Sequence, residues 1–136
     1  MLFDEALADQ IAPIAREIEQ RGHRVVLDAE AMASEDLDIL HAHDWRTAPA
    51  VALRPRTRAC TVFTVHHPEA SGECDCSKAA LLSADAITSP AAFRLQVQGF
   101  GLEEVYRRRA ARLMPIRNNA DSYLSLYRQL LNEQKH

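Results

Sequence analysis

Long apolar runs are missing from this 136-residue chain, and no window of roughly 18 apolar residues is present to build a membrane-spanning helix. Cysteine is scarce. Cys60, Cys74 and Cys76 cannot form a full set of internal pairs, and Cys74 and Cys76 are too close for a relaxed bridge, so a reducing cytoplasm is expected rather than a disulfide scaffold. Charge of one sign is also small: a net charge of −3 gives no general attraction to nucleic acid. The amino terminus is acidic and amphipathic, which argues against a signal peptide. Repeats and low-complexity tracts are absent. What remains, with 47% hydrophobic residues, is the composition of one soluble domain with one core, free of nucleic-acid and membrane partners.

Periodicity divides the chain. Leu7, Ile11, Ile14 and Ile18 recur at helical spacing, which predicts a first helix with one buried face, and Gly22 suits a left-handed stop. Pro13 removes a backbone donor, so that helix is expected to kink there or to start near residue 10. Strands are expected at about 24 to 28, 38 to 43, 60 to 66 and 85 to 88, and residues 68 to 77 read as loop. Helices at about 102 to 113 and 119 to 133, separated by Pro115, close the chain. The second carries Ala120, Tyr123, Leu124, Tyr127, Leu130 and Leu131 on one face. The alternation predicts an α/β fold: a three-layer, Rossmann-like parallel sheet of about four strands in that order, helices on both faces, in a single domain over 1–136.

Chemistry concentrates where two of those strands end. The run from Asp38 leads into His41, His43, Asp44 and Trp45, and the run from Cys60 to Val65 leads into His66 and His67. Parallel strands joined by a crossover place their carboxyl ends on one edge, where open α/β sheets bind ligands. His41 and His43, two apart on a strand, lean the same way. With His66 or His67, and with Cys74 and Cys76, they could make a four-ligand zinc site, but a hydrogen-bonded set that shapes the strand ends is the favoured reading. Arg107, Arg108, Arg109 and Arg112, with Arg117 nearby, form the basic cluster; Glu103 and Glu104 one turn earlier favour a solvated, salt-bridged face over a phosphate contact. Cys60 is expected in the core.

The two strand-end segments resemble the amino-terminal domain of the retaining GT-B glycosyltransferases, above all the glycogen and starch synthases. His41-Ala42-His43-Asp44-Trp45 with Thr47-Ala48, and Thr61-Val62-Phe63-Thr64-Val65-His66, match that family's two motifs. His67 stands where the family has asparagine. Gln20 to Val26 is similar to the family's step from first helix to second strand, and Ser83 to Pro90 to a later strand. Asn119 to Leu131 is similar to the helix that returns from the second domain to pack on the first, so residues 118–135 are expected to form a terminal packing helix. The resemblance covers roughly residues 5 to 93. The family's opening strand and glycine-rich loop have no counterpart, and neither do the two acidic residues, eight positions apart, of its donor domain.

The resemblance implies a ligand wall of His43, Asp44, Trp45, His66 and His67 on the carboxyl edge, with His66 meeting the transferred sugar and Asp44 in the same wall. Imidazole and carboxylate together supply the donors and acceptors that a hydroxyl-rich ligand needs. Asp44 also suits the cap of a helix starting near Arg46, and Trp45 suits either a sugar-stacking platform or the core. Three functions follow as expectations. The first is a degenerate glycosyltransferase-like domain that binds a sugar, a nucleotide or a protein partner with no catalytic residue, metal or cofactor of its own. The second is a hexosyltransferase completed by a separate donor-domain partner. The third is a metal-binding or structural protein using His41, His43, His66 and His67. Apolar surface uncovered by the missing pieces predicts a homodimer.

Overall fold

The computed structural model describes residues 1–27, 36–44, 47, 59–66, 69–70, 80, 83–89, 96–97 and 113–134. A 3-10 turn, Glu5–Leu7, opens the first helical stretch and runs into α1, Ala8–Gln20. Asp4 starts it: its backbone is extended and its carboxylate accepts the Leu7 N–H at 3.3 Å. Because that cap sets the first turn upstream, Pro13 falls well inside α1, and the helix begins at Ala8 rather than near residue 10. Ile11, Ile14, Ala15 and Ile18 form its buried face. Gly22 ends it as expected, with φ of 94° and its N–H on the Glu19 carbonyl at 3.0 Å.

Strands β1, Ile39–His43, β2, Cys60–Thr64, β4, Ala86–Ser89, and β6, Leu113–Pro115, make one sheet in the order β1-β2-β4-β6. All three neighbouring pairs are parallel. A separate parallel pair joins β3, Glu69–Ala70, to β5, Gln96–Val97. The fold is thus the α/β, parallel, Rossmann-like domain that the strand spacing predicted, with three strands where they were expected and two corrections.

The first correction is that Leu113–Pro115 is a strand, not the end of a helix. Ile87 and Leu113, Thr88 and Met114, and Ser89 and Pro115 are register partners, and the Ile116 N–H continues the ladder to the Ser89 carbonyl at 2.8 Å. Proline is tolerated here because strand alternation turns the residue 115 position away from β4, toward the open edge. The second correction concerns the other side of β1. Residues 24 to 27 are not in a ladder. Leu2 instead bridges Ala42, its N–H on the His41 carbonyl at 2.8 Å and its carbonyl accepting the His43 N–H at 2.9 Å. The Met1 amine donates to the Val26 carbonyl at 2.8 Å, so Met1 and Leu2 lie between the 24 to 27 stretch and the sheet.

Helix α2, Ala120–Gln134, is the expected terminal helix. Asn119 caps it by accepting the Ser122 N–H at 2.9 Å. Strand alternation puts Cys60, Val62 and Ala86 on one face of the sheet, and Leu126 and Leu130 of α2 pack against them. Ala120, Tyr123 and Leu124 pack against α1 and Met1. Arg21, at the end of α1, pairs with Asp121 at the start of α2 and with Glu17 at 2.6 Å, all at the surface. On the opposite sheet face Leu2, Leu40 and Ala59 cluster. The helices expected over that face, and residues 102 to 112, lie outside the described residues. No helix among the described residues is long and apolar enough to cross a membrane.

Gly22→Ala is expected to lower stability by about 1 kcal/mol. Open space surrounds the added Cβ, so the cost is backbone strain at φ 94° rather than a clash. An unchanged urea midpoint would contradict this account of how α1 stops.

Candidate functional site

The carboxyl ends of β1 and β2 meet as predicted. The ladder runs past both strands: the Asp44 N–H donates to the Thr64 carbonyl and the Val65 N–H to the Thr88 carbonyl, each at 2.8 Å. Those bonds carry Asp44 and His66 to one edge. Asp44 lies at the turn out of β1 with φ of 66°, the single described non-glycine residue at positive φ. Aspartate tolerates that region better than most residues, at a cost of about 1 kcal/mol. The turn is held by Thr47, whose hydroxyl donates to the His43 carbonyl at 2.7 Å and whose N–H donates to the Asp44 carbonyl at 3.2 Å. Asp44 is 7% exposed and His66 half-buried.

Behind that edge lies a buried polar ladder. His41 and His43 project to the same face, as their spacing required, and stack with ring centroids 4.1 Å apart. His41 is not part of the open edge. Its Nδ1 pairs with the Tyr127 hydroxyl of α2, its Nε2 lies 2.5 Å from Thr64 Oγ1, and Thr64 Oγ1 lies 2.8 Å from Thr88 Oγ1. Tyr123 meets both imidazoles edge-on, at 4.9 Å and 5.7 Å. His43 sits directly behind His66, its Nδ1 3.0 Å from His66 Nε2 and its ring wholly buried. His43 Nε2 is buried with no hydrogen-bond partner among the described residues.

Burial drives the electrostatics. Desolvation holds both His41 and His43 well below the ordinary histidine value of 6.5, with neighbouring imidazoles adding in the same direction. Burial pushes the Tyr127 hydroxyl well above 10.0. The whole ladder is therefore neutral at pH 7, which suits hydrogen bonding and not charge storage. Among the described residues no three of histidine, cysteine, aspartate and glutamate come together as metal ligands. His41, wedged between Tyr127 and Thr64, has both ring nitrogens engaged.

Of the residues expected to line the site, Asp44 and His66 come together at the edge and His43 supports them from inside. Trp45 and His67 lie outside the described residues, as do Cys74, Cys76 and the arginines from 107 to 112. The residues that the sequence reading missed are Thr64, Thr88, Tyr123 and Tyr127. The two tyrosines had been placed on the buried helix face for their apolar rings; a tyrosine in place of leucine or phenylalanine there signalled a polar group awaiting a partner. A cavity of about 380 Å³ touches neither Asp44 nor His66; it is lined by His41 and Tyr127 of the ladder together with Val25, Val26, Ile39 and Leu131.

A parallel sheet with an imidazole and a carboxylate at the carboxyl ends of adjacent strands fits many functions, and comparison with known proteins decides the family. The starch synthase catalytic domain model matches residues 23–108, well over half of the chain, and the chain belongs to that family. A glycogen synthase of Alkalilimnicola ehrlichii is 45% identical over 56 residues, covering 35% of this chain and 12% of that enzyme. The chain therefore spans only a small part of the curated relative it matches. No solved structure matches it at a significant level.

Two measurements test the ladder. Tyr127→Phe removes the hydroxyl from His41 and leaves a buried ring nitrogen unpaired, so a loss of about 1 to 3 kcal/mol is expected in urea unfolding; no loss would mean that the contact is not formed. The second is pH. A base whose folded pKa is depressed stabilises the fold fully above its unfolded pKa, and that stability is lost as pH falls toward the folded value. Stability should thus decline below pH 6.5, by about 1.4 kcal/mol per pH unit for each of the two histidines. Equal unfolding midpoints at about pH 7.5 and 5.5 would refute the buried neutral pair.

Proposed function

We propose that this chain, by itself, is a sugar- or nucleotide-sugar-binding domain of the starch synthase family that does not catalyse transfer. The observation that carries the reading is the juxtaposition of Asp44 and His66 on one rigid edge, inside the stretch that matches the family. Asp44, at φ 66°, and His66, backed by His43, bring a carboxylate and an imidazole to that edge, groups of the kind a polyhydroxyl ligand requires. Retaining sugar transfer also has to neutralise a departing diphosphate. Preorganised donors do that work, and removing one from such a site costs roughly 3 kcal/mol. The described edge supplies one wall of a cleft and no cationic clamp opposite it.

Incubated with UDP-glucose or ADP-glucose and an oligosaccharide acceptor, the 136-residue chain is expected to give no transfer. Nucleotide-sugar binding, measured by calorimetry, should weaken about fivefold in His66→Ala, the equivalent of about 1 kcal/mol for one lost hydrogen bond. Asp44→Asn, which tolerates the same backbone angle, should weaken it similarly without unfolding the turn. Turnover that disappears in His66→Ala would replace this reading with that of a working transferase.

The same reading includes self-association and a reducing compartment. Cys60 is buried as a free thiol, and Leu27 exposes 51% of its surface beside the sheet edge. A single exposed apolar side chain makes no patch; the pairing proposed is the symmetric contact commonest among soluble oligomers. Light scattering at micromolar concentration is expected to give twice the chain mass of 15.2 kDa, and a monomer mass would rule the homodimer out.

A further inference from the structure

The margin of β1 away from β2 is only partly paired. The Cys60 N–H donates to the Asp38 carbonyl and the Asp44 N–H to that of Thr64, so the even-numbered residues of β1 turn their backbone groups to β2 and residues 39, 41 and 43 turn theirs the other way. Leu2 takes the far end of that outer row, bonding the His41 carbonyl and the His43 N–H. Among the described residues nothing pairs with the next two groups, the His41 N–H and the Ile39 carbonyl. His41 is only 1% exposed, and a buried backbone N–H without a partner is rare in folded proteins.

The walls beside those groups have the dimensions of a strand. Met1 is bonded to Val26 on one side and Leu2 to β1 on the other, so the gap between the 24 to 27 stretch and β1 is one strand wide. The cavity of about 380 Å³ continues that gap upstream, lined by Met1, Val26, Leu37, Ile39, His41 and Leu131. From the level of His41 to that of Asp38 is three residues, about 10 Å at the usual strand rise. Side chains entering there alternate between two apolar faces: one level with Leu40 falls beside Leu2, Val26 and Leu37, and one level with Ile39 falls beside Leu131. The rim carries both signs, Asp36 and Asp38 with Arg24 and Arg128, so it selects no charge.

We propose that this slot receives the carboxyl-terminal end of a partner polypeptide, extended parallel to β1 and finishing in two apolar residues. What already lies in the gap identifies the occupant, because Met1 and Leu2 show these walls accepting an extended backbone in that direction. The partner's last residue donates its N–H to the Ile39 carbonyl and accepts the His41 N–H on its terminal carboxylate. The Met1 amine, a multiple donor, closes the slot against the other carboxylate oxygen. Strand addition of this kind draws affinity from main-chain bonds and specificity from alternate side chains.

The probe is the acetylated peptide Lys-Thr-Val-Val-Ile, as the free acid, titrated into the nitrogen-labelled chain. Saturable binding is expected with a Kd of about 0.1 to 1 mM, the weak range of a short peptide that is ordered on binding. The His41 amide should move downfield and exchange about tenfold more slowly, while the amides of Asp44 and Val65, already bonded, stay in place. N-methylation of the last residue removes its donor and should weaken binding about tenfold. Two glycines added after it should weaken binding as much, because Met1 stops the slot. No binding at about 5 mM peptide, or binding that tolerates N-methylation and leaves the His41 amide unchanged, would overturn the proposal. Binding that occurs only as a dimer dissociates would assign the slot to a second copy and overturn it equally. The unaltered chain serves in every arm, so no variant's folding enters the result.

Discussion

The interaction on which the rest of this domain depends is the burial of two neutral imidazoles between strand β1 and the terminal helix. A polar ring taken out of water without partners is costly, so His41 is tolerable only where Thr64 and Tyr127 reach its two nitrogens together. That demand sets the position of α2. Sliding the helix by one turn, or rotating it by one residue, would still bury apolar surface against Cys60, Val62 and Ala86, but would strip the hydroxyl from His41. The apolar contacts hold α2 on the sheet, and the polar ones specify where. Fully satisfied buried networks commonly confer that kind of uniqueness.

The same arrangement ties helix to edge. Tyr127 orients His41, His41 stacks on His43, and His43 faces His66. A helix more than 50 residues later in the chain thereby helps to fix a side chain at the carboxyl edge. The strained backbone at Asp44 sits at the end of this ladder, where bonds from Thr47 and to Thr64 hold the turn in place.

Much of this was legible in the sequence, for reasons that differ between elements. β1, β2 and β4 were readable because each is a short β-branched or apolar run with a polar crest, and the register of parallel strands then delivers those crests to one edge. The pairing of His41 and His43 followed from the period of two. The fourth strand was not readable: Leu113–Pro115 is three residues long and contains a proline, which reads as a breaker unless the open edge it faces is known. Leu2 was invisible because a single bridging residue has no periodicity. The tyrosine hydroxyls were hidden by the very pattern that placed their rings in the core, since helical spacing reports burial but not the partner of a polar tip.

Pro115 has a consequence for how copies of this domain can meet. Among the described strands β6 is at one margin of the sheet, and the ring nitrogen at its last residue offers no proton to an incoming strand. Pairing across that margin loses a donor at residue 115, although Leu113, two residues earlier, faces the same way with its own N–H. A proline that looked like punctuation between two helices thus takes one donor away from a strand margin, one of the ways in which natural sheets discourage edge-to-edge pairing.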